Sequence, residues 1–251
     1  MSDEQDHPAE DSFISHLVEL RNRLVKASLS IIVVFLCLMP WAGQVYDLLA
    51  HPMMAALPAG SKMIATGVIT PFLIPVKVTL LLAFIIALPV VLYQGWAFIA
   101  PGLYAHEKRL IAPLVISSSV LFVAGVAFCY FFVFGVVFKF VNNFSPTSIA
   151  VAPDIENYFD FVMMMFIAFG LTFEVPIVVI VLVRMGLVSV DKLREIRPYV
   201  IVGSFIIAAV VTPPDVMSQL LLAIPLCLLY EIGLLVAPMF VRMTQAPEEV
   251  V

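Results

Sequence analysis

Long apolar runs separated by short polar loops fill this chain from Leu29 to Met239. Runs of this length predict helices that cross a membrane, because about 20 apolar residues of helix match a hydrocarbon core of about 30 Å. A helix also satisfies its own backbone hydrogen bonds, which lipid cannot do. The sequence predicts six spans: Leu24–Trp41, Val76–Phe98, Ile111–Phe140, Phe159–Leu187, Tyr199–Val211 and Leu220–Phe240.

Composition agrees with this pattern. Hydrophobic residues make up 63% of the 251 residues, and charged residues make up 12%. A soluble protein of this length cannot bury that much apolar surface. We therefore expect an all-α polytopic membrane protein whose main solvent is lipid.

Three segments depart from the regular pattern. The fifth span, Tyr199–Val211, is only about 20 Å long as a helix, so it should tilt little and thin the bilayer locally. The stretch from 42 to 75 is rich in proline and glycine. It predicts a folded cap of short turns rather than one long helix. Pro225 and Pro238 predict an irregular sixth span.

Basic residues indicate the orientation of the spans. Ten of the 13 lysines and arginines lie on one side of the predicted bundle, and Lys62, Lys77 and Lys139 lie on the other. Because basic residues accumulate on the cytoplasmic side, both termini are expected to be cytoplasmic.

This orientation divides the chain into three parts. A cytoplasmic tail with an amphipathic helix (1–23) precedes the transmembrane domain (24–240), and a second cytoplasmic tail follows (241–251). The predicted outer loops are 42–75, 142–158 and 212–219. The predicted cytoplasmic loops are 99–110 and 188–198.

The segment before the first span is amphipathic. Apolar residues recur there at helical spacing: Phe13, Leu17, Leu20 and Leu24. Asp11 or Ser12 can cap a helix that begins here, and we expect that helix to lie on the membrane surface. The acidic stretch from 3 to 11 argues against a cleaved signal peptide, which begins with basic residues.

Charged residues inside spans are costly, so each is a functional candidate. Glu174 lies mid-span, two residues before Pro176. It is either functional or a buried carboxyl that is protonated or hydrogen-bonded to a neighbouring helix. Glu231 lies near the cytoplasmic end of the last span, where a snorkelling or locally paired group is expected. Glu19 and Arg23 have the spacing of a helical ion pair, which leaves Arg21 facing elsewhere.

The sequence does not indicate catalytic chemistry. It contains no nucleophile elbow, no zinc-protease helix motif and no phosphate-binding glycine loop. The serine run 117–119 lies in a span without histidine at that depth, so it predicts helix packing. The cysteines are spread over three spans and indicate apolar packing: Cys37, Cys129 and Cys227. We therefore expect no enzyme activity, metal or cofactor.

Seven motifs follow one another along the chain: His16–Leu24, Pro89–Leu103, His106–Arg109, Phe169–Pro176, Arg197–Tyr199, Thr212–Asp215 and Gln219–Pro225. In this order they resemble the TatC family, the large polytopic subunit of the twin-arginine translocase, in its proteobacterial form. The resemblance covers about residues 12 to 240. It implies six spans in a concave, cupped bundle with both ends inside.

The resemblance implies that the chain binds signal peptides of folded proteins on the cytoplasmic face. The residues implied in binding are Glu19, Arg21, Phe98 and Glu107. The chemistry is consistent, because a carboxylate accepts two parallel hydrogen bonds from a guanidinium. Adjacent arginines on an extended peptide point in opposite directions, so two separate carboxylates can each bind one. Phe98 offers an apolar or cation–π surface.

The resemblance also implies a set of partners. They are TatB and TatA, in a multimeric complex with TatB in the cell inner (cytoplasmic) membrane, without nucleic acid. The proton-motive force would drive transport without nucleotide hydrolysis. Glu174 would face the concavity of the bundle. The intramembrane and partner contacts would involve Glu174, Asp215 and Gln219.

Two other readings stay open at this point. A small-solute secondary transporter would use Glu174 as a coupling carboxylate, but the halves 1–125 and 126–251 show no convincing internal repeat. An intramembrane protease would need a nucleophile and base at the same depth, which the spans do not offer. Arginine-dependent crosslinking to a twin-arginine peptide separates these readings from a translocase subunit.

Overall fold

The computed structural model describes residues 8–57, 62–99, 111–144, 152–212 and 215–244. Within these ranges the backbone is almost entirely helical, and its only β-type pairing is one isolated bridge between Ile64 and Asp154. The helices of this part are α1 (Pro8–Leu38), α2 (Ala42–Ala56), α3 (Thr70–Ile99), α4 (Ile111–Phe128), α5 (Phe134–Phe144), α6 (Ile155–Arg184), α7 (Val190–Glu195), α8 (Arg197–Val211) and α9 (Val216–Thr244). A 3₁₀ turn joins α1 to α2, and a π turn (Cys129–Val133) joins α4 to α5.

The all-α membrane fold is confirmed. Helical stretches long and apolar enough to cross a membrane are Ile14–Ala55, Thr70–Phe98, Ile111–Val141, Ile155–Arg184 and Val216–Met239. One further apolar helix, Arg197–Val211, has only 15 residues. It is the predicted short fifth span, and at about 22 Å it is shorter than a hydrocarbon core of about 30 Å.

Three boundaries differ from the predicted ones. The amphipathic segment and the first span form one continuous helix, Pro8–Leu38, because neither glycine nor proline interrupts 9–38. The stretch 42–75 contains the 15-residue helix Ala42–Ala56, which continues through Pro52. The sixth span is a single helix that contains both Pro225 and Pro238. Which loops lie on which side of the membrane stays a prediction.

Helix α6 is the centre of the bundle. It packs against α3, α4 and α9, and half of its most apolar window is buried. Helix α1 packs mainly against α3, and only 6% of its window is buried. Its exposed leucines include Leu24, Leu29 and Leu36. The outer surface of α1 therefore faces lipid or a partner rather than the rest of the chain.

Two glycines let α4 and α6 approach closely. A Cβ on Gly125 would lie 2.5 Å from the carbonyl oxygen of Phe169, and a Cβ on Gly170 would meet the ring of Phe122. Small residues of this kind permit close packing of membrane helices. The contact fixes α6, and therefore Glu174, against α4.

Long-range hydrogen bonds hold one end of the bundle together. We call the residues 62–70 and 152–160 the outer cap, after the side that the basic residues predict. The Ile155 amide donates to the Ile64 carbonyl at 2.8 Å, and the Ile64 amide donates to the Pro153 carbonyl at 3.0 Å. The Thr66 hydroxyl donates to Asp154 Oδ2 at 2.6 Å. These bonds tie the chain before α3 to the first turn of α6.

Asp154 is the N-cap of α6. Its Oδ1 accepts from the amides of Glu156 and Asn157 at 2.9 and 3.1 Å. The Thr66 hydroxyl, followed by these and other backbone donors, holds the pKa of Asp154 below its ordinary value, since each bond favours the charged form. A single carboxylate thus caps a helix and anchors the preceding loop.

Candidate functional site

An aromatic pair joins α1 to α3 at the end of the bundle opposite the outer cap. The rings of His16 and Phe98 stack with centroids 4.5 Å apart and an interplanar angle of 23°. Stacked pairs at this distance contribute about 0.5–1.5 kcal/mol beyond the area that they bury. Phe98, predicted to contact the signal peptide, is therefore held in place by a residue of the first helix.

Glu19 lies one helical turn after His16, on the same side of α1. Its Oε1 accepts from Arg23 Nη2 at 2.6 Å and from Arg23 Nε at 2.9 Å. This confirms the ion pair predicted from the spacing. Because both side chains remain partly exposed, the pair contributes little to stability. Its geometry is the one that a guanidinium from a ligand would adopt.

The remaining residues of the predicted peptide site are placed differently. Arg21 is exposed and points about 140° around α1 from His16, away from the ring pair. Glu107 lies outside the described residues, in the segment 100–110. That segment begins two residues after Phe98. The binding roles of Glu19, Arg21, Phe98 and Glu107 stay predictions.

Glu174 is buried in the middle of α6, where it is 8% exposed. Neither of its carboxylate oxygens has a hydrogen-bond partner among the described residues. The hydroxyl of Ser118 on α4 lies close to it. The indole nitrogen of Trp96 on α3 lies 3.3 Å from that same hydroxyl oxygen. Three helices thus bring polar side chains together within an apolar bundle.

A buried carboxyl without a partner is unfavourable, so its presence calls for an explanation. The structural alternative, a buried carboxyl that is protonated or hydrogen-bonded to a neighbouring helix, stays open beside the functional one. A functional role for Glu174 stays a prediction.

Asp215 and Gln219 have contacts of their own at the start of α9. Asp215 Oδ1 accepts from the Ser218 amide at 2.7 Å, the geometry of a helix N-cap. Gln219 Nε2 donates to the Phe205 carbonyl of α8 at 3.2 Å. These contacts hold the short α8 against α9. The contacts show a structural role, and partner binding by either residue stays a prediction.

Glu231 is paired with a side chain near it in space, as its position near the end of the last span predicts. Its Oε2 lies 2.7 Å from Nη2 of Arg197, at the first residue of α8. Each side chain is about two-fifths exposed. Nearby, the Tyr230 hydroxyl donates to the Leu193 carbonyl at 2.7 Å. These contacts connect α7, α8 and α9 at their shared end.

Sequence reasoning missed His16 and Trp96 as neighbours of the predicted sites. His16 lies in the amphipathic segment before the first span, and no periodicity pairs it with a residue 82 positions later. Trp96 lies within the quoted Pro89–Leu103 motif, but its partner Ser118 is on another helix. Within the described residues no group of three His, Cys, Asp or Glu side chains could hold a metal ion.

Comparison with known proteins gives consistent matches over most of the chain. The family described as "Sec-independent protein translocase protein (TatC)" matches residues 15–225. A TatC protein of Halothiobacillus neapolitanus is 52% identical over 92% of this chain, which spans 63% of that relative's length. A TatC protein of Escherichia coli K12 is 49% identical over 94% of this chain and 92% of its own.

A solved structure agrees with the sequence matches. A crystal structure of the twin-arginine translocase receptor TatC has a TM-score of 0.78 and 38% sequence identity. The match covers 89% of this chain and 98% of the chain in that crystal structure.

Proposed function

This chain belongs to the TatC family, and from that premise we propose that it binds twin-arginine signal peptides on its cytoplasmic face. Family membership makes it a multi-pass membrane component of Sec-independent protein transport. The finer proposal concerns what it recognises. Its peptide site consists of Glu19, Phe98 and Glu107, with Arg21 at its edge.

The observation that carries the proposal is the placement of Phe98 beside Glu19. The His16–Phe98 stack brings the end of α3 to the turn of α1 that contains Glu19. An aromatic face and a carboxylate at one end of the bundle suit an arginine side chain, which binds both.

Arg23 shows how an arginine would bind to Glu19. It already donates two hydrogen bonds to one carboxylate oxygen. A signal-peptide arginine that replaces it at the carboxylate can make the same hydrogen bonds, while Arg23 turns to solvent. The second signal arginine points the other way on an extended peptide and pairs with Glu107.

Transport itself would use a different part of the chain. We propose that TatB and TatA assemble with this subunit and that the proton-motive force drives cargo across the membrane. A unit charge that crosses about 100 mV gains about 2.3 kcal/mol. Glu174, with Ser118 and Trp96 beside it, provides the buried polar position where a partner helix or entering water could act.

The test compares matched carboxylates on the purified chain. Glu107→Gln should weaken binding of a twin-arginine peptide by about 1.5–3 kcal/mol, the scale of a hydrogen bond to a charged group. The control, Glu195→Gln, removes an exposed carboxylate that pairs with nearby Lys192. Equal peptide affinity in both variants would contradict the recognition site.

A second variant separates recognition from transport. Glu174→Ala should leave peptide crosslinking intact and impair export of a folded reporter, because the residue lies mid-bundle, away from Phe98. Full export would reduce Glu174 to a structural polar group. Loss of peptide binding at normal expression would mean that one site serves both steps.

A further inference from the structure

A groove of about 530 Å³ lies between α2 and the continuous α4–α5 helix, at the outer-cap end of the bundle. Its walls include Leu48 and His51 on α2, and Tyr130, Phe131, Gly135 and Lys139 on the other helix. This volume lies within the range of small-molecule binding sites. The signal-peptide site proposed above lies at the opposite end of the bundle and does not involve this groove.

The groove is built into the packing of the two helices. The Tyr130 hydroxyl donates to the Leu48 carbonyl at 2.8 Å and fixes the spacing of its walls. Gly135 leaves one wall open, since a Cβ there would meet nothing within 4 Å. Phe131 is 80% exposed beside it. The result is an open apolar trough.

The groove lies at the level of one edge of the bilayer. Counted along the helix from Ile111, Phe131 lies about 30 Å away and Lys139 about 42 Å away. A hydrocarbon core is about 30 Å thick, and the headgroups extend the bilayer to about 40–45 Å. The aromatic end of the trough therefore lies where acyl chains begin, and its lysine lies among headgroups.

The groove itself carries a positive charge at the headgroup level. Lys139 is exposed, and no carboxylate of the described residues pairs with it. Lys77, on the same side, differs because it contacts Glu156 and Asp160 at 3.8 and 3.2 Å. His51 can donate a further hydrogen bond to an anion. A cation above an apolar trough complements an amphiphile with an anionic head.

We propose that this groove binds an anionic glycerophospholipid of the outer leaflet. The phosphate lies against Lys139 and His51, and an acyl chain runs along Leu48 and Phe131. A protein helix fits less well. The groove is about 12 Å long from Phe131 to Lys139. A helix segment of that length and about 10 Å in diameter occupies roughly 900 Å³. The volume of the groove is about 530 Å³.

Native mass spectrometry of the full chain in detergent tests the charge. Added phosphatidylglycerol should form more one-to-one adducts than phosphatidylcholine does. Lys139→Gln should reduce the phosphatidylglycerol adduct about fivefold, the effect of one basic residue near an anionic headgroup. The matched control is Lys62→Gln, an exposed lysine on the same side outside the groove. No preference in the parent chain, or equal losses in both variants, would overturn the proposal.

Filling the groove tests its shape. Gly135→Phe should abolish the adduct, while Gly203→Phe, at a glycine with equally open space on α8, should retain it. A photoreactive residue at position 131 should then capture phospholipid in native membranes. Capture of a second copy of this chain, or of a single-span partner, would overturn the lipid assignment.

Discussion

The two ends of the bundle are held together in different ways. At the outer cap, the contacts join residues far apart in sequence, such as Thr66 with Asp154 and Lys77 with Asp160. At the opposite end, Glu19 pairs with Arg23, and two further ion pairs join residues three apart, beside the longer-range pair Arg197–Glu231. Long-range bonds fix one end as a scaffold. Local pairs leave side chains at the other end able to exchange partners.

The largest effect is expected from the buried hydroxyl of the scaffold. The Tyr158 hydroxyl donates to the Leu49 carbonyl at 2.8 Å inside the main core. Tyr158→Phe removes this buried hydrogen bond and should lower the free energy of unfolding by about 1.5 kcal/mol, the upper end of the range for one hydrogen bond. Denaturant unfolding in detergent measures this. Tyr130→Phe, whose bond is exposed, should cost less, and an equal loss in both variants would contradict a scaffold role for Tyr158.

The ring pair at the end opposite the outer cap should affect peptide binding as well as stability. His16→Ala removes the stack that positions Phe98 and should weaken signal-peptide binding by about 0.5–1.5 kcal/mol. His16→Phe should restore binding, because a phenyl ring can stack in the same way. Titration with a labelled peptide measures both variants. If His16→Phe binds as weakly as His16→Ala, the stack does not position Phe98.

The ion pair Arg197–Glu231, at the end opposite the outer cap, joins residues far apart in sequence, and it should contribute a smaller amount. Glu231→Gln breaks the contact with Arg197 and should cost at most about 1 kcal/mol, because both side chains are half-exposed. Added salt should lower the stability of the parent chain toward that of the variant, because salt screens the ion pair. Thermal unfolding at two salt concentrations measures this. A loss as large as that of Tyr158→Phe would mean that both ends are scaffolds.

The smallest expected effect is on the stability of the chain at low pH. The pKa of Asp154 in the folded chain lies below its unfolded value, near 3.9, so its contribution is complete above that pH. The contribution should be lost as pH falls from there through the folded pKa. Asp154→Asn should therefore be less stable than the parent at neutral pH and nearly equal to it in strong acid. A stability difference between the two chains that persists in strong acid would show that the charge of Asp154 is not its cause.

Hydropathy was sufficient to predict the spans, because lipid imposes helices on long apolar runs. It identified the short Arg197–Val211 helix and the all-α class. It failed at Ala42–Ala56, where proline and glycine were read as turn signals. There the packing of Val45, Leu49 and Met53 against the core stabilises a helix through Pro52.

Local spacing predicted the site only within one helix. The pair Glu19–Arg23 followed from a separation of four residues. The contacts of Phe98 and Glu174 did not, because their neighbours His16 and Ser118 come from other helices. Such neighbours depend on how helices pack, which periodicity does not encode.

The outer cap also constrains how the chain is made. Thr66 and Asp154, which bond to each other, are 88 residues apart. At ribosomal speeds of about 5–20 residues per second, roughly 4–18 seconds separate their synthesis. During that interval α3, α4 and α5 are inserted while the loop before α3 still lacks its bonding partner. The backbone around Ile64 therefore lacks its long-range hydrogen-bond partners until the start of α6 has been synthesised.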